Sequence, residues 1–298
     1  MQEGGYVKTV RIESKPPSVP HAARQGGEAR SQQWVWVESS VWTERMLQAL
    51  DKGVKGGKWY SLMDKVYSKS NLEAAYRKVK SNRGSAGVDH VTLEMFEKHR
   101  ESNLLCSHEQ LREGSYRPQA IRRTYIPKLG SNEHRPLGIP TIRDRVVQTA
   151  LRNVLEPIFE RDFAEHSYGF RPRRGCKDAL RRVDLLLRRG HCWVVDVDLK
   201  SYFDTIPHDQ LMSLLRQKVA DDRVLQLVEN YLVQSIREGT SSWSPDMGTP
   251  QGAVASPMLA NIYLDPLDHL MAKNAFEMVR YADDRAPRRR GKEAIMAN

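Results

Sequence analysis

Two adjacent carboxylates, Asp283 and Asp284, follow Tyr281-Ala282 at the end of "FEMVRYADD". A third, Asp198, lies in "HCWVVDVDLKSYFDTIP", His191 to Pro207. There Trp193, Val195, Val197 and Leu199 alternate with Val194, Asp196 and Asp198, so a strand is predicted with an apolar face and with Asp198 on the other. Each piece is ordinary by itself: a pair of aspartates in a turn is usually only a turn, and an acidic strand residue usually faces solvent. If the two strands pair, however, three carboxylates converge and repel one another. A divalent cation with a preference for hard oxygen ligands, Mg²⁺ above all, relieves that repulsion. Two such ions can stabilise the attacking and leaving oxygens of an in-line phosphoryl displacement.

The elements that must hold these residues can be read from periodicity. Helical patterning begins in "VWTERMLQAL" (Val41 to Leu50), is broken by "GVKGGKW", and resumes through "LMDKVYSKSNLEAAYRKVKSN" and from Val91 to Cys106. Tyr125-Ile126-Pro127 reads as an edge strand because proline cannot donate to a ladder, "KLGSNEH" as a turn, and Arg135 to Ile139 as the hairpin partner. "DRVVQTALRNVLEPIFE" and "KDALRRVDLLLRRG" are amphipathic helices, the second with Gly190 as its cap, and "DQLMSLLRQKV" and "DDRVLQLVENYLVQSI" are two more. Gly248 to Met271 is a Gly/Pro turn that feeds a long helix. Helices and strands alternate irregularly, which predicts an α+β fold rather than a doubly wound sheet. Residues 1 to about 40 lack periodicity and read as a mobile leader.

Composition narrows the partners. The chain has 298 residues, a hydrophobic share of 40% and a formal net charge of +10, from 47 Lys plus Arg against 37 Asp plus Glu. That balance favours a polyanionic partner. No run of eighteen apolar residues and no secretory leader is present, so neither a membrane span nor export is expected. Cys106, Cys176 and Cys192 form no C-x-x-C pair, which argues against a disulfide framework and a structural zinc site and fits a cytoplasmic setting.

"VDVDLKSYFDTIPHDQL", "GTPQGAVASPMLANIYLDPLD" and "RYADD", in this order, resemble the palm of reverse transcriptases, in particular the branch encoded by group II introns. "YIPKLGSNEHRPLGIPTIRDRVVQTALRNVLEPIFERDFAEHSYGFRPRRGCKDAL" is similar to the fingers of that family, and "GVKGGKWYSLMDKVYS" with "NRGSAGVD" to its N-terminal extension. The resemblance covers roughly residues 41 to 284 and implies a right-hand polymerase. Residues 41–190 would be the extension and fingers, 191–284 an incomplete palm, and the thumb would be absent. It implies an RNA-directed DNA polymerase (a nucleotidyltransferase of a mobile element, with maturase relatives). Its partners would be intron RNA or an RNA template, a DNA primer and deoxynucleoside triphosphates, and a homodimer is a candidate assembly.

The resemblance also implies roles for particular residues. Asp198, Asp283 and Asp284 would ligate two Mg²⁺, with the backbone at Leu199 and Lys200 near the triphosphate. Phe203 matches the bulky residue that blocks a ribose 2′-OH, and Gln251 of "TPQG" the polar residue beside the nucleotide. Lys128 and Arg135 match the cations that clamp the triphosphate, Lys as a point charge and Arg as a planar fork. Arg171, Arg173 and Arg174 in "YGFRPRRG", interleaved with Tyr168 and Phe170, suit RNA contact by stacking and phosphate pairing. His208 matches a helix-start position and is expected to be structural.

One departure stands out. Five of the eight residues after the acidic pair are basic (Arg285, Arg288, Arg289, Arg290, Lys292), and Pro287 lies among them. A buried hairpin arm is not expected to tolerate this composition. The expectation is therefore an aberrant basic tail over 285–298, a truncated polymerase whose acidic turn is poorly held, and weak or no synthesis. Two alternatives stay open: a non-catalytic fragment that binds intron RNA, and a retron or CRISPR-associated reverse transcriptase or an RNA-directed RNA polymerase. Phe203 speaks against ribonucleotide use.

Overall fold

Ser68, Thr92, Thr141 and Asp221 each accept a hydrogen bond from a backbone N–H of the following turn, and each starts a helix. They satisfy donors that the first turn of a helix leaves without partners. The computed structural model describes residues 7–11, 33–127, 134–282 and 284–289, the first and last of these as backbone only. In chain order the elements are β1 (Val7–Arg11), α1 (Glu44–Lys52), α2 (Met63–Val66), α3 (Lys69–Asn82), α4 (Leu93–Lys98), α5 (Arg100–Glu113), β2 (Ile121–Pro127), β3 (His134–Ile139), α6 (Ile142–Glu160) and α7 (Cys176–Arg188). They continue with β4 (Trp193–Asp198), α8 (His208–Lys218), α9 (Asp222–Leu232), β5 (Ile236–Glu238), β6 (Ser241–Trp243), α10 (Ser256–Lys273), β7 (Glu277–Tyr281) and β8 (Asp284–Arg289). The architecture is mixed α and β. No helix among the described residues is long and apolar enough to cross a membrane.

The chain divides into two units, and the larger one joins Val37–Arg161 to Phe203–Tyr263. Its core is α6 against α3. Leu72, Ala75, Tyr76 and Val79 on one helix and Val147, Leu151, Val154 and Leu155 on the other are all buried. α6 is buried along most of its length, so its polar residues must find partners inside. Asn153 Nδ2 donates to Asn71 Oδ1 at 2.8 Å, and Trp42 Nε1 donates to Asn153 O at 2.9 Å. Beside this core a mixed sheet runs in the order β3-β2-β5-β6, with β2 antiparallel to β3 and parallel to β5.

Asp144, fully buried on α6, accepts from Tyr116 Oη at 2.6 Å and from the Gln119 N–H at 3.1 Å, and Tyr116 in turn meets Tyr231 at 2.8 Å between hydroxyls. Burial raises its carboxyl above the ordinary 3.8, although the Tyr116, Thr141 and Gln119 hydrogen bonds and Arg143 pull the other way. The folded state therefore holds this proton to higher pH than the unfolded chain does. Its contribution to stability falls as pH rises from the unfolded value through the folded one. Asp144→Asn, which cannot ionise, is expected to compare better with the wild type at pH 7.5 than at pH 4. Thermal unfolding at both values reads this directly, and a difference that does not change with pH contradicts it. Glu156 shifts in the same direction in both proteins and cancels in the comparison.

The smaller unit is drawn from Met1–Trp36, Asp162–Tyr202 and Leu264–Asn298. Its sheet runs β1-β4-β8-β7, antiparallel throughout. α7 packs on it through a cluster of Tyr168, Ala179, Val183, Leu186 and Val279.

Several expectations are corrected. Within the leader, Val7–Arg11 forms β1 on the edge of this sheet, and Trp34 is buried. β2 starts earlier than read, at Ile121, although Tyr125-Ile126-Pro127 is an edge as expected, since β5 pairs with Ile121 and Arg122 alone. The helix read from Val91 to Cys106 is broken at His99. The strand through Asp198 stops there, and Tyr202–Asp204 is a 3₁₀ turn. β5 and β6 were not expected at all. Most important, the hairpin arm after the acidic turn is present. β8 lies between β4 and β7 despite its composition. Its register to β4 reads Trp193↔Arg289 and Val194↔Arg288, then resumes at Val197↔Arg285. The ladder skips the stretch at Pro287, which has no N–H to give, so the proline costs one interruption rather than the strand.

Candidate active site

In the smaller unit, Asp198 ends β4 and is directly opposite Asp284 of β8, and Asp284 in turn pairs with Tyr281 of β7. Directly opposed residues of an antiparallel pair have Cβ atoms about 4.5–5.5 Å apart. Asp198 is exposed, and among the described residues its carboxylate has no hydrogen-bond or ion-pair partner. Asp283 lies outside the described residues.

The turn between β7 and β8 is held from below. Ala282 has φ 58°, a left-handed conformation that costs an L-residue free energy. Gly169 packs directly under it: a Cβ at Gly169 would stand 2.1 Å from Ala282 N and 2.8 Å from its Cα. Only glycine allows that approach. Alongside, residues 166–168 cover the outer edge of β7, with Arg280 N–H donating to His166 O at 3.0 Å and Tyr168 N–H to Arg280 O at 2.9 Å. Arg280 is 1% exposed. Its Nε and Nη2 donate to the Asp268 carboxylate at 2.6–2.9 Å, and its Nη1 donates to Ala282 O at 2.9 Å. Removing one partner of such a buried pair commonly costs about 3–5 kcal/mol because the other charge is left uncompensated. Neither Arg280 nor Asp268 was identified from sequence. The available signal was a lone charge between the apolar residues of "EMVRY".

"SYGFRP" supplies the covering loop, and the fold buries Arg171 within it. It is 6% exposed, donates from Nη1 to Ala164 O at 2.6 Å and Ser167 O at 2.8 Å, and lies over the Phe163 ring. Its guanidinium is buried and braces the loop. Arg174 donates to Glu165 O and lies over the Tyr168 ring. Arg173 and Phe170 are exposed, Phe170 at 51%.

In the larger unit the remaining candidates gather around the "GTPQG" turn. Gly248 has φ 88°, and a Cβ there would meet the Asp204 backbone at 2.8 Å. Thr249 N–H donates to Phe203 O at 2.6 Å, and Gly248 N–H donates to Ile206 O at 2.7 Å. His208 Nε2 donates to Gly248 O at 2.8 Å, so it is structural as expected. Gly138 N–H of β3 donates to Gln251 O at 2.6 Å, and a Cβ at Gly252 would stand 2.4 Å from Gly138 O. Gln148 Oε1 accepts the N–H groups of Val254 and Ala255 at 2.8 and 3.3 Å. The structure thus brings Phe203, Gln251 and the hairpin that carries exposed Arg135 to one turn. Lys128 lies outside the described residues. Leu199 follows Asp198 and is half-buried.

The residue types fit a hard divalent ion. Asp198 offers an uncompensated carboxylate, and the strand register sets a second aspartate opposite it. No group of three or more metal-ligating side chains occurs among the described residues, which leave out Asp283 and the Asp284 side chain.

A family model for reverse transcriptase (RNA-dependent DNA polymerase) matches residues 126–293, more than half of the chain. The chain belongs to the reverse transcriptase family. Among curated members it is 37% identical over 213 residues to the group II intron-encoded protein LtrA of Lactococcus lactis subsp. cremoris, a match covering 71% of this chain and 35% of LtrA. It is 39% identical to protein YkfC of Escherichia coli, over 67% of this chain and 54% of that one. The putative COX1/OXI3 intron 2 protein of Saccharomyces cerevisiae is 33% identical, over 69% of this chain and 24% of the relative. This reverse transcriptase-family chain therefore matches about a quarter to a half of the length of these relatives. Among solved structures, the partial Cas6-RT-Cas1--Cas2 complex aligns with a TM-score of 0.52 and 23% identity, covering 78% of this chain and 39% of that one. That likeness speaks to the fold alone.

Proposed function

We propose that this chain is an RNA-directed DNA polymerase of the group II intron type, extending a DNA primer on an RNA template with deoxynucleoside triphosphates. The observation that carries the reading is the β4–β8 register that opposes Asp198 to Asp284, in a family defined by this chemistry. Asp198 and Asp284 with Asp283 would hold the metal, and the Leu199 backbone lies at the same strand end. Two Mg²⁺ bound there supply Lewis-acid stabilisation of the attacking and leaving oxygens. The bond formed joins the primer 3′-oxygen to the α-phosphorus, and the bond broken releases pyrophosphate. Arg135 with Lys128 would bind the triphosphate, Gln251 would orient the nucleotide, and Phe203 would fill the space a 2′-OH needs. In this reading the smaller unit's sheet is the palm and the β2–β3 hairpin the fingers. Exposed Phe170 and Arg173 would contact RNA. The three free, exposed cysteines suit a reducing cytoplasm.

Primer extension with Mg²⁺ on an RNA template, read at single-nucleotide resolution, tests this. Deoxynucleotide addition is expected, and none under any condition would sink the reading. Phe203→Ala is expected to raise ribonucleotide use relative to deoxynucleotide use by about 10–100-fold, the range of a discrimination made by one pocket contact. An unchanged ratio would remove Phe203 from that role.

A further inference from the structure

We infer that the Arg280–Asp268 pair sets the acidic turn, with Arg280 acting as a positioning residue for the carboxylates that follow Ala282. The inference rests on the proposed metal-binding role of that turn. Three observations carry it. First, Arg280 is held at both ends of its own backbone, by His166 O and by the Tyr168 N–H. Second, Asp268, itself 4% exposed, takes the guanidinium in a two-pronged contact through Nε and Nη2. Third, the remaining arm, Nη1, reaches Ala282 O at 2.9 Å. A pair that only neutralised two buried charges would not need that third arm. Its target is the carbonyl of Ala282, whose φ is left-handed, and fixing a carbonyl fixes the peptide plane that follows it. Arginine is suited to this because its rigid fork presents donors in two directions at once, whereas lysine is a point charge.

Arg280→Lys separates the two roles. Lysine can keep the ion pair with Asp268, but it cannot hold that carboxylate and Ala282 O together. Hydrogen exchange over residues 276–286 and Mn²⁺ binding by water-proton relaxation are the readouts, with far-UV circular dichroism and thermal unfolding as fold controls. Arg280→Lys is expected to keep its fold while the turn amides exchange about 10-fold faster and Mn²⁺ binds about 10-fold more weakly, the usual effect of losing a group that orients a ligand. Arg182→Gln removes another ion pair of β7, to Glu277 at 2.6 Å, and is expected to change neither turn exchange nor Mn²⁺ affinity. Wild-type exchange and affinity in folded Arg280→Lys would overturn the inference. Should it not fold, Asp268→Asn, which leaves the arm to Ala282 in place, takes over with a smaller change expected in the same direction. No change there, or loss of the fold in both variants, also overturns it. If the wild type binds no Mn²⁺ but its turn loosens in Arg280→Lys, the metal reading fails and the positioning role stands.

Discussion

Asp198→Asn is expected to lower nucleotide addition by about three decades, which corresponds to roughly 4 kcal/mol of lost transition-state stabilisation. The substitution keeps the shape of the side chain and removes only its charge. Asp198 is exposed at the end of β4 and, among the described residues, has no partner to lose. Its thermal midpoint should therefore stay within about 2 °C of the wild type, as for other surface substitutions. Asp196→Asn, two residues back on the same strand and also exposed, is the matched control and should leave the rate nearly unchanged. Equal rates for Asp198→Asn and the wild type would dismiss Asp198 as a metal ligand. Equal losses in both variants would point to the overall charge of β4 instead.

Gly169→Ala should have the largest effect on stability. The added methyl would meet backbone atoms of Tyr281 and Ala282 at 2.1–2.9 Å, and backbone cannot rotate out of the way as a flexible side chain can. The turn or the covering loop must move, at an overpacking cost of about 3 kcal/mol. For a chain of this size that lowers the thermal midpoint by roughly 5 °C. Gly175→Ala is the control, since a Cβ there meets nothing nearer than Asp178 Oδ2 at 3.9 Å. Because the displaced atoms belong to the acidic turn, Mn²⁺ affinity should fall with stability in Gly169→Ala and in neither respect in Gly175→Ala. A midpoint unchanged from the wild type would show that the close approach carries no stabilisation.

Patterns that repeat over short distances were legible from the chain. The alternation through Asp198, the 3.6-residue period of the helix after Thr141 and the β2–β3 hairpin each depend on local geometry, and each appears where periodicity sets it. β5 and β6 were missed because three-residue strands are too short to show alternation. The same limit applies to Arg171. In sequence it is one arginine among several in an exposed-looking stretch, and only the fold around Phe163 and Ser167 makes it an interior residue.

The sequence by itself determined the residue types of the proposed centre, their order along the chain, and the family those motifs mark. Tertiary structure decided whether the acidic turn has a second strand to rest on. Composition argued against that strand, since Arg285, Arg288, Arg289 and Pro287 are unfavourable between two neighbours. A ladder, however, is a sum of separate hydrogen bonds, and Pro287 forfeits only its own. Tertiary structure also decided what holds the turn. Arg280, Asp268 and Gly169 are far from one another in sequence or chemically plain in it, and they acquire their role only where β7, α10 and the 166–170 loop meet.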